Sequence, residues 1–165
     1  MSKIRVLILM GSDSDAPVME NAVLTLEELG LTCEMTVASA HRSPDRVRHF
    51  IDSAPDRGVQ VFIVGAGAAA HLAGVVAAHT TKPVIGVPID SSALQGFDAL
   101  LSTVQMPPGV PVATGSVGKP GAINAAVLAA QIIALSDQEV ASLLDCLLYT
   151  SDAADERSSV DLGGR

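Results

Sequence analysis

Short runs rich in Val and Ile alternate with stretches of helical pattern, and this alternation constrains the fold more than any other feature of the chain. The predicted strands are Arg5–Met10, Cys33–Ala38, Val59–Val64, Val84–Val87 and Val110–Thr114. The predicted helices are Ala16–Leu29, Pro44–Ala54, Ala69–Thr80, Ala93–Leu101 and Ala122–Leu135. Because strand–helix–strand repeats make the strands run parallel within one sheet through right-handed crossovers, the sequence predicts an α/β fold.

The predicted strands are apolar without strict alternation, which is typical of a sheet covered by helices on both faces. We therefore predict a single, three-layer, doubly wound domain with a parallel sheet over residues 1–148, with the amphipathic stretch Ser136–Tyr149 as its C-terminal helix. Residues 149–165 are polar, small and glycine-ended, so we expect an atypical, disordered tail.

Composition and charge exclude several classes of partner. The formal net charge of −8 argues against a nucleic-acid or anionic-membrane surface, since such binding needs clustered Lys and Arg. The most apolar window, Val61–Ala78, is interrupted by glycines and by His71, which favours a strand, a turn and a helix over a membrane span. With 48% hydrophobic and only 2% aromatic residues, the chain predicts a core of small aliphatic side chains and burial between subunits.

The two cysteines and the N-terminal stretch indicate a reducing compartment. Cys33 and Cys146 lie far apart, with no spacing typical of a zinc site or a disulfide framework. The stretch Ile4–Met10 is interrupted by Arg5 and is shorter than the apolar region of a secretory signal. We therefore predict a cytoplasmic protein.

Four loops follow the first four predicted strands, and the carboxyl ends of parallel strands are where ligands bind. The first loop carries Ser12 and Ser14, which suit phosphate oxygens, and Asp15, which could accept from ribose hydroxyls. The alternative is that Ser14 or Asp15 only caps the following helix. The glycine spacing fits neither a dinucleotide fingerprint nor a triphosphate loop.

The second loop carries His41 and Arg42 between Ser39 and Pro44. Arg42 can bind a phosphate through two parallel hydrogen bonds, and His41 can move a proton near neutral pH. The alternative is a structural histidine beside a solvated charge, and we assign that structural role to Arg46 and His49 in the next helix.

The third loop runs from Gly65 to His71 and has no side chain larger than a methyl group before His71. Its backbone can therefore approach a flat ligand closely, although tight packing of helix on sheet explains the alanines equally well. The fourth loop, Pro88–Gly96, places serine hydroxyls at a predicted helix start, but it could equally be a plain connection between strand and helix. We find no carboxylate pair, catalytic Ser-His-Asp order or metal-binding motif, so no metal is expected.

Taken together, the strand-end motifs strongly resemble one family, the 5-(carboxyamino)imidazole ribonucleotide mutases of purine biosynthesis, over about Ile4–Leu144. The motifs that carry the resemblance are Met10–Asp15, Ser39–Asp45, Gly65–Gly67 with Ala69–Leu72, Gly86–Pro88, Val104–Pro107 and Asn124–Ala126 with Ala129–Gln131. The resemblance implies a flavodoxin-like domain in a homo-octamer, with active sites at subunit contacts. It also implies transfer of a carboxyl group from the exocyclic nitrogen of the substrate to a ring carbon, giving 5-amino-4-carboxyimidazole ribonucleotide, without a cofactor or metal.

Site residues follow from the resemblance position by position. His41 matches the catalytic general acid and base. The residues that match substrate-binding positions are Ser12, Ser14, Asp15, Ser39, Arg42, Gly67, His71 and Leu72. Among these, Ser14, Ser39 and Arg42 match phosphate contacts, whereas His71 and Leu72 match a loop beside the ring and the migrating carboxylate.

Two alternative functions stay open at this stage. A related class carboxylates the free aminoimidazole nucleotide with carbon dioxide and tends to carry lysine after the histidine, so Arg42 favours the mutase. The other alternative is a non-catalytic phosphosugar or nucleotide-binding module on the same fold. The chain departs from the family at Ala68, usually glycine, at Ala73, usually proline, and after about Asp145, where a basic helical ending is usual.

Overall fold

The computed structural model describes residues 3–160, with side chains described over residues 3–149. The strands are β1 Val6–Met10, β2 Cys33–Val37, β3 Val61–Gly67, β4 Val84–Ile89 and β5 Ala113–Thr114. The helices are α1 Ala16–Glu28, α2 Pro44–Arg57, α3 Leu72–Ala77, α4 Phe97–Val104, α5 Lys119–Ala134 and α6 Gln138–Val160, and a short 3₁₀ turn, Asp13–Asp15, precedes α1.

The strands form one parallel sheet in the order β2-β1-β3-β4-β5. Val6 of β1 pairs with Cys33 of β2 on one side and with Val61 of β3 on the other. This order is that of flavodoxin-like folds, in which the direction of winding reverses beside β1. The predicted fold class, a doubly wound α/β domain, is confirmed.

Each central strand is buried on both faces, which explains why its sequence does not alternate between apolar and polar residues. Val6 and Ile8 point towards α1 and α5, whereas Leu7 and Leu9 point towards α2 and α3. All four are fully buried. On the first face the fully buried residues of α5 are alanines over most of its length, which lets α1 and the sheet approach its backbone closely.

Several element boundaries differ from the predicted ones, and backbone geometry gives the reason. Helix α4 begins at Phe97 rather than Ala93, because Gln95 and Gly96 have left-handed φ angles of 51° and 84° that no helix accommodates. Strand β5 is only Ala113–Thr114, because Val110 bonds back to Pro107 in a turn. Helix α2 continues past Ala54 and ends at Arg57, before Gly58 with its φ of 87°.

Helix α6 extends further than the sequence predicts. It begins after Asp137, whose Oδ1 accepts from the backbone N–H of Glu139 and Val140 and whose Oδ2 pairs with Arg5. Its helical backbone covers residues 149–160, where we expected disorder; the stretch contains no glycine or proline to interrupt it. Residues 161–165 of the predicted tail lie outside the described residues, and the division of the chain at residue 148 stays a prediction.

Among the helices of the described residues, none combines the length and the apolar character that crossing a bilayer requires.

Candidate active site

The carboxyl ends of β2, β1, β3 and β4 lie side by side, and the loops that follow them enclose a cavity of about 350 Å³. All nine residues predicted for the site line this cavity: Ser12, Ser14, Asp15, Ser39, His41, Arg42, Gly67, His71 and Leu72. The sheet order explains their meeting, since β1 and β3 are the central neighbours and their loops form the floor. The structure therefore brings the predicted residues together, while their individual roles stay predictions.

The loop after β1 is held in shape by its own side chains. Ser12 accepts from the backbone N–H of Ser14, and Asp15 Oδ2 accepts from the backbone N–H of Ser12 at 3.0 Å, which makes a capping box around the 3₁₀ turn. The Ser14 hydroxyl donates to the Ser12 hydroxyl at 2.9 Å. At the start of α1 itself Asp15 makes no side-chain capping bond, so its carboxylate closes the capping box of the 3₁₀ turn rather than capping the helix. It lines the cavity as well.

Asp15 is only 3% exposed, and this burial controls its charge. Burial raises the pKa of its carboxyl above the ordinary value of 3.8, and the neighbouring Asp13 adds to the rise. Hydrogen bonds from the backbone of Ser12 and Gly11 act in the opposite direction but do not cancel the effect of burial. The carboxyl is therefore easier to protonate than an exposed one.

The loop after β2 turns tightly before α2 and directs His41 and Arg42 outward. The Ser39 hydroxyl accepts from the backbone N–H of Arg42 at 3.2 Å, and the Ser43 hydroxyl accepts from that of Ser39 at 3.1 Å. Within residues 3–149, the guanidinium of Arg42 has no hydrogen bond or ion pair to a protein group. It is thus available to an anion.

Arg46, one helical turn further on, contrasts with Arg42. Its Nε donates to the carbonyl of Val37 at 2.8 Å, its Nη2 donates to Thr36 Oγ1 at 3.1 Å, and its guanidinium lies over the ring of Phe50. These contacts hold the Arg46 guanidinium against β2 and the Phe50 ring, where the sequence analysis expected a solvated surface charge.

A hydrogen bond joins the two candidate histidines across the cavity. His41 Nε2 lies 2.8 Å from His71 Nδ1, and the two rings meet edge to face with centroids 4.9 Å apart. Because a hydrogen bond needs one donor and one acceptor, one of these nitrogens carries a proton and the other does not. The sequence analysis found both residues but missed their contact, since nothing in the sequence states how far each loop reaches.

The loop after β3 has a floor of backbone and small side chains. Gly11 donates its backbone N–H to the carbonyl of Gly65 at 3.1 Å, which fixes the first and third loops to each other. Leu72 is buried at the start of α3 and closes the cavity from below. Ala68 has a left-handed φ of 50°, a conformation that favours glycine over alanine.

The described residues contain no group of three or more His, Cys, Asp or Glu side chains close enough to hold a metal ion. The cavity offers hydroxyls, an arginine and a histidine pair instead. It can bind an anion at the β1–β2 side and move a proton near its centre.

Comparison with known proteins decides the family. A family model described as AIR carboxylase matches residues 5–151, which is most of the chain. This chain belongs to the AIR carboxylase family. Within it, the chain is similar to proteins named N5-carboxyaminoimidazole ribonucleotide mutase. The one from Bacillus subtilis is 55% identical over 138 residues, covering 84% of this chain and 85% of that protein.

Further relatives place the chain in the same family. The Escherichia coli K12 protein of the same name is 53% identical over 136 residues, covering 82% of this chain and 80% of its own. The crystal structure of Treponema denticola PurE superposes with a TM-score of 0.86 at 28% identity, covering 96% of this chain and 98% of that one. The resemblance stated from the motifs is confirmed.

Proposed function

We propose that this chain is an N5-carboxyaminoimidazole ribonucleotide mutase. It moves the carboxyl group from the exocyclic nitrogen of 5-(carboxyamino)imidazole ribonucleotide to the ring carbon, giving 5-amino-4-carboxyimidazole ribonucleotide. The observation that carries the proposal is the hydrogen bond between His41 and His71, which places two proton-carrying rings inside a cavity lined by small residues and hydroxyls. The names of its similar relatives support the same reaction.

The order of the strands supports one orientation of the nucleotide in the cavity. Its phosphate lies at the ends of β2 and β1, among Ser12, Ser14 and Ser39, with the free guanidinium of Arg42 as its counter-charge. The imidazole ring lies against Gly67 and Leu72, where the absence of large side chains lets a flat ring contact the backbone.

The reaction balances with one carbon–nitrogen bond broken, one carbon–carbon bond formed, and one proton moved from His41 to nitrogen and then from carbon back to His41. As the bond between the exocyclic nitrogen and the carboxyl carbon breaks, His41 delivers its proton to that nitrogen, which leaves carbon dioxide and an amine. The ring carbon then forms its bond to carbon dioxide and loses its own proton to His41, which returns to its starting state. His71 holds the His41 ring in place through their hydrogen bond.

The mechanism also requires the cavity to retain carbon dioxide between the two steps. Carbon dioxide that left the cavity would be lost from the product, so the site must hold it beside the ring carbon until the new bond forms. No cofactor or metal takes part in the proposed reaction.

The competing functions are separated by one substrate comparison. We expect the wild-type protein to convert the carbamate nucleotide to 5-amino-4-carboxyimidazole ribonucleotide without added bicarbonate. Turnover of the free amine that depends on bicarbonate would favour the carboxylase instead. Nucleotide binding without any turnover would favour the non-catalytic module.

An exposed apolar stripe supports assembly as a homo-octamer, the state expected from the family. Phe97, Leu101 and Val104 recur at helical spacing along α4, and Leu94 lies in the turn before it. Each of the four is more than 40% exposed in the single chain. A second copy of the chain would cover this stripe. We further place the protein in the cytoplasm, acting on its small-molecule substrate with neither nucleic acid nor membrane as a partner.

A further inference from the structure

Ser91 lines the same cavity as the nine predicted residues, although the sequence analysis gave it no role. It follows the end of β4 closely, in the stretch interpreted as a plain connection. Its hydroxyl has no hydrogen-bond partner among the side chains and backbone of residues 3–149. The adjacent Ser92 differs, since its hydroxyl accepts from the backbone N–H of Leu94 at 3.1 Å and thereby shapes the turn.

The Ser91 hydroxyl is held directly over Gly67. A Cβ atom added at Gly67 would lie 1.8 Å from Ser91 Oγ and 3.1 Å from the carbonyl oxygen of Ile89. Any side chain at Gly67 would therefore displace this hydroxyl. Gly67, which ends β3 without a side chain, and the free hydroxyl of Ser91 after β4 together form one corner of the cavity.

Strand order shows which part of the substrate reaches this corner. The proposed phosphate-binding residues follow β2 and β1, whereas Gly67 ends β3 and Ser91 follows β4, the strand furthest from β2 among those that form the cavity. A nucleotide with its phosphate at the β2–β1 side extends its ring towards β3. The group beyond the ring, at the β4 side, is the carboxyl group that is transferred.

We propose that Ser91 is a substrate-binding residue whose hydroxyl donates a hydrogen bond to the carboxylate that moves. This inference rests on the function proposed above. Because the Ser91 hydroxyl has no acceptor in the protein, its one hydrogen bond can be donated to the ligand. A hydrogen bond to a charged oxygen is about twice as strong as one between neutral groups. The contact orients the carboxyl group over the ring, so that carbon dioxide is released towards the ring carbon.

The test replaces Ser91 with alanine in the full-length chain and follows two products. The first is the transferred product; the second is the free amine, measured above its rate of formation without protein, which reports carbon dioxide lost from the cavity. We expect Ser91→Ala to lower kcat/KM by about 10- to 100-fold, the effect of losing a hydrogen bond to a charged group, and to raise the share of free amine. Ser92→Ala is the matched control, with both quantities close to wild type.

The outcomes distinguish a failure of the role proposed for Ser91 from a failure of the proposed mutase function. An active wild type with an unchanged Ser91→Ala variant overturns the role of Ser91 and leaves the mutase function standing. A higher KM without additional free amine also overturns it, since the hydroxyl would then bind another part of the substrate. A wild type that transfers no carboxyl group overturns the proposed function and this inference with it.

Discussion

Replacing the buried carboxyl of Asp15 separates its structural role from its role in the site. Asp15→Ala removes the acceptor for the Ser12 backbone N–H, so the capping box of the 3₁₀ turn before α1 loses one of its two hydrogen bonds. Such a loss costs about 0.5–2 kcal/mol, which in a chain of this length lowers Tm by about 1–8 °C. Asp15→Asn keeps an oxygen that accepts the same hydrogen bond while removing the charge, so we expect a Tm at neutral pH equal to or above that of wild type.

The pH dependence of the same comparison follows from the raised pKa of Asp15. A carboxyl with a higher pKa in the folded chain binds protons more tightly when folded, so its contribution to stability falls as pH rises from below 3.8 through the raised pKa. The stability difference between Asp15→Asn and wild type should therefore shrink as the pH is lowered towards 3.8. Glu20→Gln, at an exposed position of α1, removes a similar charge without burial and should show no such trend.

Thermal unfolding monitored by circular dichroism across this pH range provides the measurement. If Asp15→Asn were as unstable as Asp15→Ala at neutral pH, and approached wild type no more closely on acidification, the ionised carboxylate would be stabilising the fold. The reasoning from burial would then be wrong. Both Asp15 variants should lose substrate affinity if Asp15 also binds the nucleotide as predicted.

Three further predictions concern packing, binding and assembly. Gly65→Ala would bring a methyl group 2.4 Å from Met19 Sδ and should destabilise the chain by about 1–3 kcal/mol in urea unfolding; adding Met19→Ala should cost less than the sum of the single changes. Arg42→Ala should raise KM by about 10- to 100-fold with a smaller change in kcat, and an unchanged KM in steady-state assays would contradict the phosphate role. Phe97→Glu should lower the assembly mass in sedimentation, whereas an unaltered mass would remove α4 from the subunit contact.

The fold could be predicted because its signal is repeated along the chain. Each βα unit carries its own apolar strand and its own helix start, so an error of a few residues in one boundary leaves the parallel sheet unchanged. The boundaries themselves depend on single backbone angles, such as the left-handed φ of Gln95 before α4. A non-glycine residue gives no sign of such an angle in the sequence.

The site could be predicted as a set of loops but not as a set of contacts. Residues at strand ends meet because strand order determines their positions, which is how Ser12 and the loops that carry Ser39 and Gly67 were found. The roles of Ser39 and Gly67 themselves came from the family resemblance. The contact between His41 and His71, and the approach of Ser91 to Gly67, depend on side-chain direction across loops that are distant in sequence. Ser91 was missed for this reason, although its place after β4 was a usable signal.

The proposed reaction depends on the proton carried by His41, and one substitution tests this role directly. His41→Asn keeps a polar side chain but cannot carry the proton, so turnover of the carbamate nucleotide should fall by about 10²- to 10⁴-fold. Binding of 5-amino-4-carboxyimidazole ribonucleotide, measured by calorimetry, should persist. His49→Asn, at a histidine of α2 that packs beside Phe50, serves as the matched control with wild-type turnover. Full activity in the His41→Asn protein would contradict the account.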